Sequence, residues 1–600
     1  MGLKKLLMGN EAVAYGAAAA GVGLVSGYPG TPSTEVLETV AKINTNKEIY
    51  VEWSTNEKAA LEVAAGAAYA GMRSMVTMKQ VGLNVASDPL MSLAYVGVKG
   101  GMVVLVADDP GPLSSQTEQD TRHFARYANL PVFDPATPEE AYEMTLAAFA
   151  LSEQIGKPVF LRPTTKVCHS CATMEVADSW SPKQAEGFVK DPKWVIFPPL
   201  AYRAHVEIEA LQQRLAGELS DSPFNRVSGA GRVGVAAGGV SRTYVTELAA
   251  RFNLPVKILE VGIPNPFPAK LGAEFLRGLD RVIVFEELDP VIEEGLIELA
   301  YQRRITVEIL GKKTGHTPCA GEFTYEIVRD ALAKVLEIGL KDDAPCAPPP
   351  ELPVRNPVLC AGCPHRASFY AVKLAMKGQK AVFTGDIGCY TLGNAKPLEM
   401  TDTCLCMGAG ITVAQGLKRA QPDTAHIAFV GDSTFFHTGL PGIANAVYNQ
   451  TDITVVILDN YTTAMTGHQP HPGIGKTMMG IQHGKIDIYG VVKALGAAYV
   501  KKADPFDLEN AVKTVQEAVA EPGVSVVIFE SPCIAIVKPQ RMMHVDAQKC
   551  KACGRCVREI GCPALFVGAD KKVFVEPSLC TGCGLCTDVC PFDAIGGEPL

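Results

Sequence analysis

No apolar run in this chain reaches the roughly 18 residues that a membrane span needs, so no transmembrane anchor is expected. Positive charge is short as well. Lys plus Arg number 55 against 64 Asp plus Glu, a formal net charge of −9. That balance argues against nucleic acid as a partner. A dinucleotide-binding fingerprint is missing, and Gly238-Gly239 is only a weak phosphate-loop look-alike. The start, MGLKKLLMGNEAVAYGAAAAGVG, sets two lysines before an apolar stretch, but Asn10, Glu11 and several glycines interrupt it. It reads as a strand end and a helix, not as a signal peptide.

What is present is α/β alternation. At 600 residues, 47% hydrophobic and 20% charged, the chain is too long for one core and predicts about four domains. Short apolar β-rich runs such as 101–109 and 157–164 alternate with alanine-rich helical stretches, the pattern of a parallel sheet. The first unit is expected over 1–185. A second follows over 186–340, with an amphipathic surface helix at 204–219 and three strand–turn–helix repeats. Residues 341–357 are proline-rich and aperiodic, a linker. A third α/β domain is expected over 358–540 and a small α+β module over 541–600.

Cysteine is plentiful, and eight of the 18 lie in that last module. Cys550, Cys553 and Cys556 precede Cys562-Pro563; Cys580, Cys583 and Cys586 precede Cys590-Pro591. Triple runs closed by Cys-Pro fit two [4Fe–4S] clusters, with each fourth cysteine reaching the other cluster. Zinc ribbons use isolated pairs instead. Cys550, Cys553, Cys556 and Cys590 would hold one centre, and Cys580, Cys583, Cys586 and Cys562 the other. One departure is the five residues, not three, between Cys556 and Cys562. Cysteines spaced for clusters imply a reducing compartment, hence the cytoplasm, and an anaerobe.

The third domain holds two strand-end motifs, Gly431-Asp432-Ser433 and Asp459-Asn460-Tyr461-Thr462. A carboxylate, an amide oxygen and a carbonyl are hard ligands suited to Mg²⁺ shared with a diphosphate. Gly431 would let the backbone approach the phosphate. In the first domain, Gly27-Tyr28-Pro29-Gly30-Thr31-Pro32-Ser33-Thr34 reads by itself as a turn with Ser33 or Thr34 as helix cap, and Glu57 as a first-turn glutamate. Asp108-Asp109 resembles a paired-carboxylate metal site but reads as a strand-ending turn, and Glu286-Glu287 as a turn and helix start.

The order YPGTPSTE, EKAALEVAAG, CAGCPH, GDSTFFHTG, LDNYTTAMTG and the cysteine tail resembles the large subunits of the indolepyruvate ferredoxin oxidoreductase family. These belong to the thiamine diphosphate-dependent 2-oxoacid:ferredoxin oxidoreductases. The likeness runs over essentially the whole chain, although Ser433 and Asp459 depart from the Gly-Asp-Gly…Asn-Asn signature of thiamine enzymes. It implies two thiamine-diphosphate-binding-type parallel-sheet domains, pyrimidine-binding in 1–185 and diphosphate-binding in 358–540. It further implies a transketolase C-terminal-like α/β domain at 186–340 and a two-cluster ferredoxin-like tail. By the resemblance Glu57 contacts the aminopyrimidine, with Glu62 as fallback, and Thr31 contacts substrate. Asp432, Asn460 and the Thr462 carbonyl bind Mg²⁺, and Gly431 and Ser433 meet the cofactor. Cys360, Cys363, Cys389 and Cys533 match the four ligands of a third cluster. Two rival readings stay open: isolated reduced cysteines, or Cys363 and His365 lining the diphosphate pocket, with Cys404 and Cys406 nearby. His437, His468 and His471 flank the Mg²⁺ loops. The implied reaction is coenzyme A-dependent oxidative decarboxylation of arylpyruvates with ferredoxin as acceptor, in a hetero-oligomer such as α2β2 with a smaller beta subunit. The same chemistry on pyruvate, 2-oxoglutarate or branched 2-oxoacids, and a non-oxidative decarboxylase, are the alternatives.

Overall fold

Uninterrupted valine, isoleucine and leucine make the central strands. Met102–Ala107 and Ile453–Asp459 are buried at every position, as strands covered on both faces of a parallel sheet must be. The computed structural model describes residues 3–340, 350–354 and 356–599. Most of the proline-rich stretch 341–357 lies outside them. The chain divides into two units, Met1–Pro348 and Pro349–Leu600.

The first unit contains a six-stranded, all-parallel sheet. Its spatial order is Tyr50–Trp53, Leu24–Gly27, Ser74–Lys79, Met102–Ala107, Val159–Leu161, Val132–Phe133. The start of the chain is indeed a strand, Leu3–Met8, and a helix, Gly9–Ala19; the strand pairs antiparallel with Cys171–Val176. A second, five-stranded sheet runs Glu308–Leu310, Arg281–Phe285, Val233–Gly238, Val256–Val261, Asn225–Gly229. The last strand is antiparallel and was not expected. It is short and polar, and what pins it is Asn225, whose amide donates to Leu219 O and accepts the N–H groups of Gly262 and Ile263. The amphipathic helix spans Pro198–Glu218 and starts earlier than its apolar stripe, at two prolines suited to a first turn.

The second unit repeats the six-stranded parallel design: Thr403–Cys404, Ala381–Gly385, Ala425–Gly431, Ile453–Asp459, Val524–Glu530, Tyr499–Ala503. Numbered in chain order within each sheet, both read 2-1-3-4-6-5. In each, the chain steps from the second position to the edge and back to the third. The loops after the first and third strands therefore diverge, leaving the crevice where ligands of open α/β sheets bind. Two antiparallel ribbons, Arg541–Val545 with Ile595–Pro599 and Leu565–Val567 with Val573–Val575, and the short helices Arg555–Ile560 and Leu585–Val589 form the tail. Its Ile560, Leu565 and Leu585 join one apolar core with Phe369, Tyr370 and Val372 of the sheet domain. Among the described residues no helix is long and apolar enough to cross a membrane.

The two sheets of the first unit are tied by buried ions. Arg122, 1% exposed, donates to Glu286 at 2.8 Å and to the carbonyls of Glu287 and Asp289. It also pairs with Asp120. Arg162 reaches Asp108 at 2.7 Å and Asp134 at 3.2 Å. Glu286 in turn accepts the N–H groups of Ile292 and Glu293, so it does open the following helix. Breaking such a pair leaves a charge buried and unmatched, at a cost of about 3–5 kcal/mol. Arg122→Ala is therefore expected to lower the stability of the first unit by that order in denaturant unfolding, whereas Arg232→Ala, at an exposed pair with Asp280, should not move the midpoint measurably.

Glu287 gives a pH signature. Burial pushes its carboxyl up to about 7 from 4.5, against the Phe323 N–H and the charges of Arg162 and Lys166. The folded chain then holds this proton longer than the unfolded chain. Stability contributed by the protonated group is complete below pH 4.5 and is lost as pH rises to about 7, by at most ~3 kcal/mol. Glu287→Gln keeps the acceptor and should flatten that slope in unfolding measured from pH 4.5 to 7.5; an unchanged slope would refute the assignment.

Candidate functional site

In the second unit the crevice lies between the ends of Ala381–Gly385 and Ala425–Gly431, and the Ile453–Asp459 strand ends beside it. Asp432, 3% exposed, opens the turn after the second of these strands. Its Oδ1 accepts Ser433 N–H at 2.7 Å and its Oδ2 accepts Asn460 N–H at 3.1 Å. The two expected Mg²⁺ motifs are thus bonded to each other. Tyr461 adopts φ 61°, a region rarely used by bulky residues and found mostly at constrained sites; the kink follows Asn460, whose Oδ1 accepts Thr462 N–H at 3.3 Å. Burial and the neighbouring Asp432 push Asp459 up to about 7.

Of the three histidines flanking these loops, His471 bonds Asp432. Its Nδ1 accepts Gly473 N–H at 3.2 Å, so its Nε2 carries the proton donated to Asp432 Oδ2 at 3.1 Å. His437 is buried with Nδ1 3.2 Å from Thr438 Oγ1, and His468 is exposed. His365 is also fully enclosed. Burial pulls it down to about 4, so it is neutral and its Nε2 accepts from Asn460 Nδ2 at 3.3 Å. Its Nδ1 then carries a hydrogen with no acceptor among the described residues. An enclosed donor without a partner, beside an Asp–Asn oxygen pair, fits an anionic oxygen such as a diphosphate with its Mg²⁺. Gly431 fits as well: a Cβ there would lie 2.7 Å from Tyr390 Cε1. Tyr390 OH bonds Asp386, a carboxyl that burial pushes up to about 7 and that accepts Gly408 N–H at 2.9 Å.

The cysteines gather in three groups. Cys363 heads the helix Pro364–Ala375 and its sulfur accepts the N–H groups of Arg366 and His365. Burial nevertheless pushes its thiol up to about 12, with Cys360 adding to the rise. Burial and then the Cys533 and Cys360 sulfurs push Cys389 up to about 11. The Cys533 N–H is bonded to Asn460 O at 3.0 Å, directly beside the expected Mg²⁺ motif. Cys404 and Cys406 stand apart, near Asp386. In the tail, burial and then Cys590 and Cys553 raise Cys556, while burial and then Cys583, Cys562 and Cys580 raise Cys586. The longer Cys556–Cys562 spacing accommodates the end of the helix Arg555–Ile560 and a left-handed Gly561, whose carbonyl accepts from Arg366.

In the first unit the crevice lies between the ends of Leu24–Gly27 and Ser74–Lys79. Ser33 caps the next helix by position, but its hydroxyl bonds Gly30 O. Thr31 O accepts from Ser114 Oγ at 3.3 Å, and Ser114 O accepts from Lys79 Nζ at 3.0 Å. Burial lowers Lys79, while Asp109 and Glu57 pull it the other way. Lys79 thus links the Thr31 loop to Glu57. Glu57, 5% exposed, is packed so tightly that a Cβ on Gly82 would fall 2.5 Å from its Oε1. Glu62 is exposed and paired with Lys58. Asp108 and Asp109 serve separate bonds, to Arg162 and Thr121 and to Ser114 and Thr165; they end a strand and do not share a ligand. Lys79, Tyr390 and Arg366 were missed from sequence, and His471 was named there only together with His437 and His468. None lies in a motif, and only the strand order brings them to the crevices.

Three family profiles match. Residues 15–198 match pyruvate flavodoxin/ferredoxin oxidoreductase, thiamine diP-bdg; 386–529 match thiamine pyrophosphate enzyme, C-terminal TPP binding domain; 573–596 match 4Fe-4S binding domain. The indolepyruvate oxidoreductase subunit IorA of Methanothermobacter thermautotrophicus is 42% identical over 608 residues, covering 100% of this chain and 98% of that protein. Those of Thermococcus kodakarensis and Archaeoglobus fulgidus are 41% and 38% identical, covering 100% and 99% of this chain and 97% of each relative. A solved 2-oxoglutarate:ferredoxin oxidoreductase from Magnetococcus marinus overlays 55% of this chain and 65% of its own at TM-score 0.46 and 20% identity. With the thiamine profiles falling on the two crevices, the cluster profile on the tail and full-length relatives at 38–42% identity, the chain belongs to the indolepyruvate oxidoreductase subunit IorA family, iron–sulfur oxidoreductases that carry thiamine diphosphate.

Proposed function

We propose that this chain oxidises arylpyruvates, of the indolepyruvate and phenylpyruvate type, in a ferredoxin-dependent oxidative decarboxylation. An arylpyruvate, coenzyme A and two oxidised ferredoxins become aryl-acetyl-CoA, CO2, a proton and two reduced ferredoxins. The observation that carries the reading is Asp432. It joins the two Mg²⁺ motifs by accepting the Asn460 N–H, and Asn460 is itself bonded to His365 Nε2 and to the Cys533 N–H. The relatives named indolepyruvate oxidoreductase support the aryl substrate.

In this reading residues 1–185 bind the pyrimidine end of the cofactor, 358–540 its diphosphate end, 186–340 form a transketolase C-terminal-like domain, and 541–600 hold two clusters. Bound thiamine diphosphate supplies the electron sink for decarboxylation. Asp432, Asn460 and the Thr462 carbonyl hold Mg²⁺, which serves as a template for the diphosphate. His471 fixes the orientation of the Asp432 carboxylate, and His365 Nδ1–H donates to a diphosphate oxygen. Gly431 and Ser433 admit that oxygen to the backbone. Glu57 bonds the aminopyrimidine, and burial beside Gly82 keeps its carboxylate in one position. Thr31 contacts the substrate, with the Lys79 ammonium at the same strand end to balance a carboxylate. Cys360, Cys363, Cys389 and Cys533 would hold a third cluster and the tail cysteines two more, centres whose chemistry is the transfer of single electrons. The subunit works in the cytoplasm with a smaller subunit, as α2β2.

The test is an anaerobic assay of the purified complex with indolepyruvate, coenzyme A, thiamine diphosphate, Mg²⁺ and a viologen acceptor. Coenzyme A-dependent viologen reduction is expected, and Glu57→Gln and Asp432→Ala should abolish it. Reduction with pyruvate but not arylpyruvates would move the reading to another 2-oxoacid, and aldehyde release without reduction would overturn the oxidative chemistry. Gly82→Ala must displace the Glu57 carboxylate, and misplacement by about 1 Å costs on the order of 100-fold in rate. Its kcat should fall by that order with the circular dichroism spectrum unchanged. Iron analysis should give about 12 atoms per chain, four per [4Fe–4S] centre; about eight would refute the third cluster.

A further inference from the structure

Arg366 is a buried cation whose bonded partners are all neutral. It is 4% exposed. Its Nη1 donates to Ile560 O at 2.6 Å and Gly561 O at 2.9 Å, and its Nη2 donates to Leu359 O. Those carbonyls hold the side chain but do not match its charge. Its Nε is enclosed and has no acceptor among the described residues. A charge taken out of water with one donor unsatisfied is costly unless an anion lies beside it.

The anion's place is legible in the same wall. Arg366 lines a cavity with Cys562, Cys580, Cys583 and Cys586. Cys363 lines that cavity too, and a Cβ on Gly362 would strike Thr581 Oγ1, so the loop carrying Cys363 packs directly on the tail loop carrying Cys580 and Cys583. Burial pulls the guanidinium down while the sulfurs of Cys562, Cys363 and Cys583 pull it up, in that order. Arg366 therefore stands between two of the cysteine sets and nearest to the Cys562 set.

We propose that Arg366 Nε–H donates to a sulfur of the cluster held by Cys562, Cys580, Cys583 and Cys586, and that this bond raises that cluster's reduction potential above that of its neighbour in the tail. The inference rests on the assignment of those four cysteines to one centre. A cubane with four thiolate ligands is an anion that gains a further negative charge on reduction. A charge-assisted N–H···S bond stabilises the reduced form more than the oxidised form, which is how hydrogen bonds to sulfur set cluster potentials. Arg366 is thus a positioning and tuning residue. It makes this centre the first tail cluster to accept an electron arriving from the Cys363 side. The longer Cys556–Cys562 spacing acquires a purpose: it delivers the Ile560 and Gly561 carbonyls that hold the guanidinium in place.

The test is redox titration of the purified complex followed by electron paramagnetic resonance. Cys583→Ser first identifies the signal of this centre; if both tail signals survive in that variant, the cysteine assignment has failed and not the role of the arginine. In Arg366→Gln the identified centre should show at least a tenfold lower ratio of reduced to oxidised form at a fixed potential, ~59 mV for a one-electron couple, with the other tail centre unmoved. Arg366→Lys, which keeps the charge, should shift it less. Full iron content with both potentials unchanged in Arg366→Gln would overturn the proposal. Should that variant lose iron, pulsed resonance on wild type with ¹⁵N-arginine decides. Arg541 also lies by this centre, its Nε donating to Gly582 O next to Cys583; a nitrogen coupling to the identified centre that persists in Arg541→Lys supports the bond, and absence of any coupling refutes it.

Discussion

Everything functional in this chain depends on a topological constraint, the point at which a parallel sheet reverses its strand order. A loop leaving one strand cannot cover the end of the next when the two connections run in opposite directions, so a crevice opens at the carboxyl ends. The chain builds that crevice once in each unit, with the same 2-1-3-4-6-5 order. In the first it gathers Thr31, Lys79 and the buried Glu57; in the second Gly431, Asp432 and the strand-end turn of Asn460. The two halves share no obvious sequence, and the repeat lies in the winding of the chain.

The tail is continuous with the catalytic half in a literal sense. Its Ile560 and Leu585 share a core with the helix that begins at Pro364, and Arg366 on that helix is bonded to the tail's backbone. Electron transfer requires centres held at fixed, short separations, and a shared apolar core supplies that rigidity where a flexible tether would not. The same helix carries Cys363 and His365 at its start. A single turn thus presents a candidate cluster ligand, a candidate diphosphate donor and the cation that faces the tail.

The sequence made much of this readable. Cysteine spacing revealed the iron–sulfur tail, which the 4Fe-4S profile over 573–596 matches, because ligand geometry is local. The buried strands were visible as runs of β-branched residues, and Glu286 was recognisable as a helix start. Other features depended on distance in space. Asn225–Gly229 is too short and polar to read as a strand, and only the bonds of Asn225 to Gly262 and Ile263 make it one. Thr31 and Glu57 read alone as a turn and a dipole-favoured glutamate, and the family likeness raised them to site residues. Lys79, which the sheet places next to both, carried no local mark at all. Among His437, His468 and His471 the sequence could not choose, since spacing in a loop does not say which ring reaches Asp432.

The most direct measurement is freeze-quench electron paramagnetic resonance of the anaerobic complex mixed with indolepyruvate, without any external acceptor. If the two crevices and the cysteine sets form one electron path, cluster signals should rise within a single turnover and grow further when coenzyme A is present. Carbon dioxide released while every cluster stays oxidised would contradict the account, because the chemistry of the crevices would then be disconnected from the iron that the chain is built to carry.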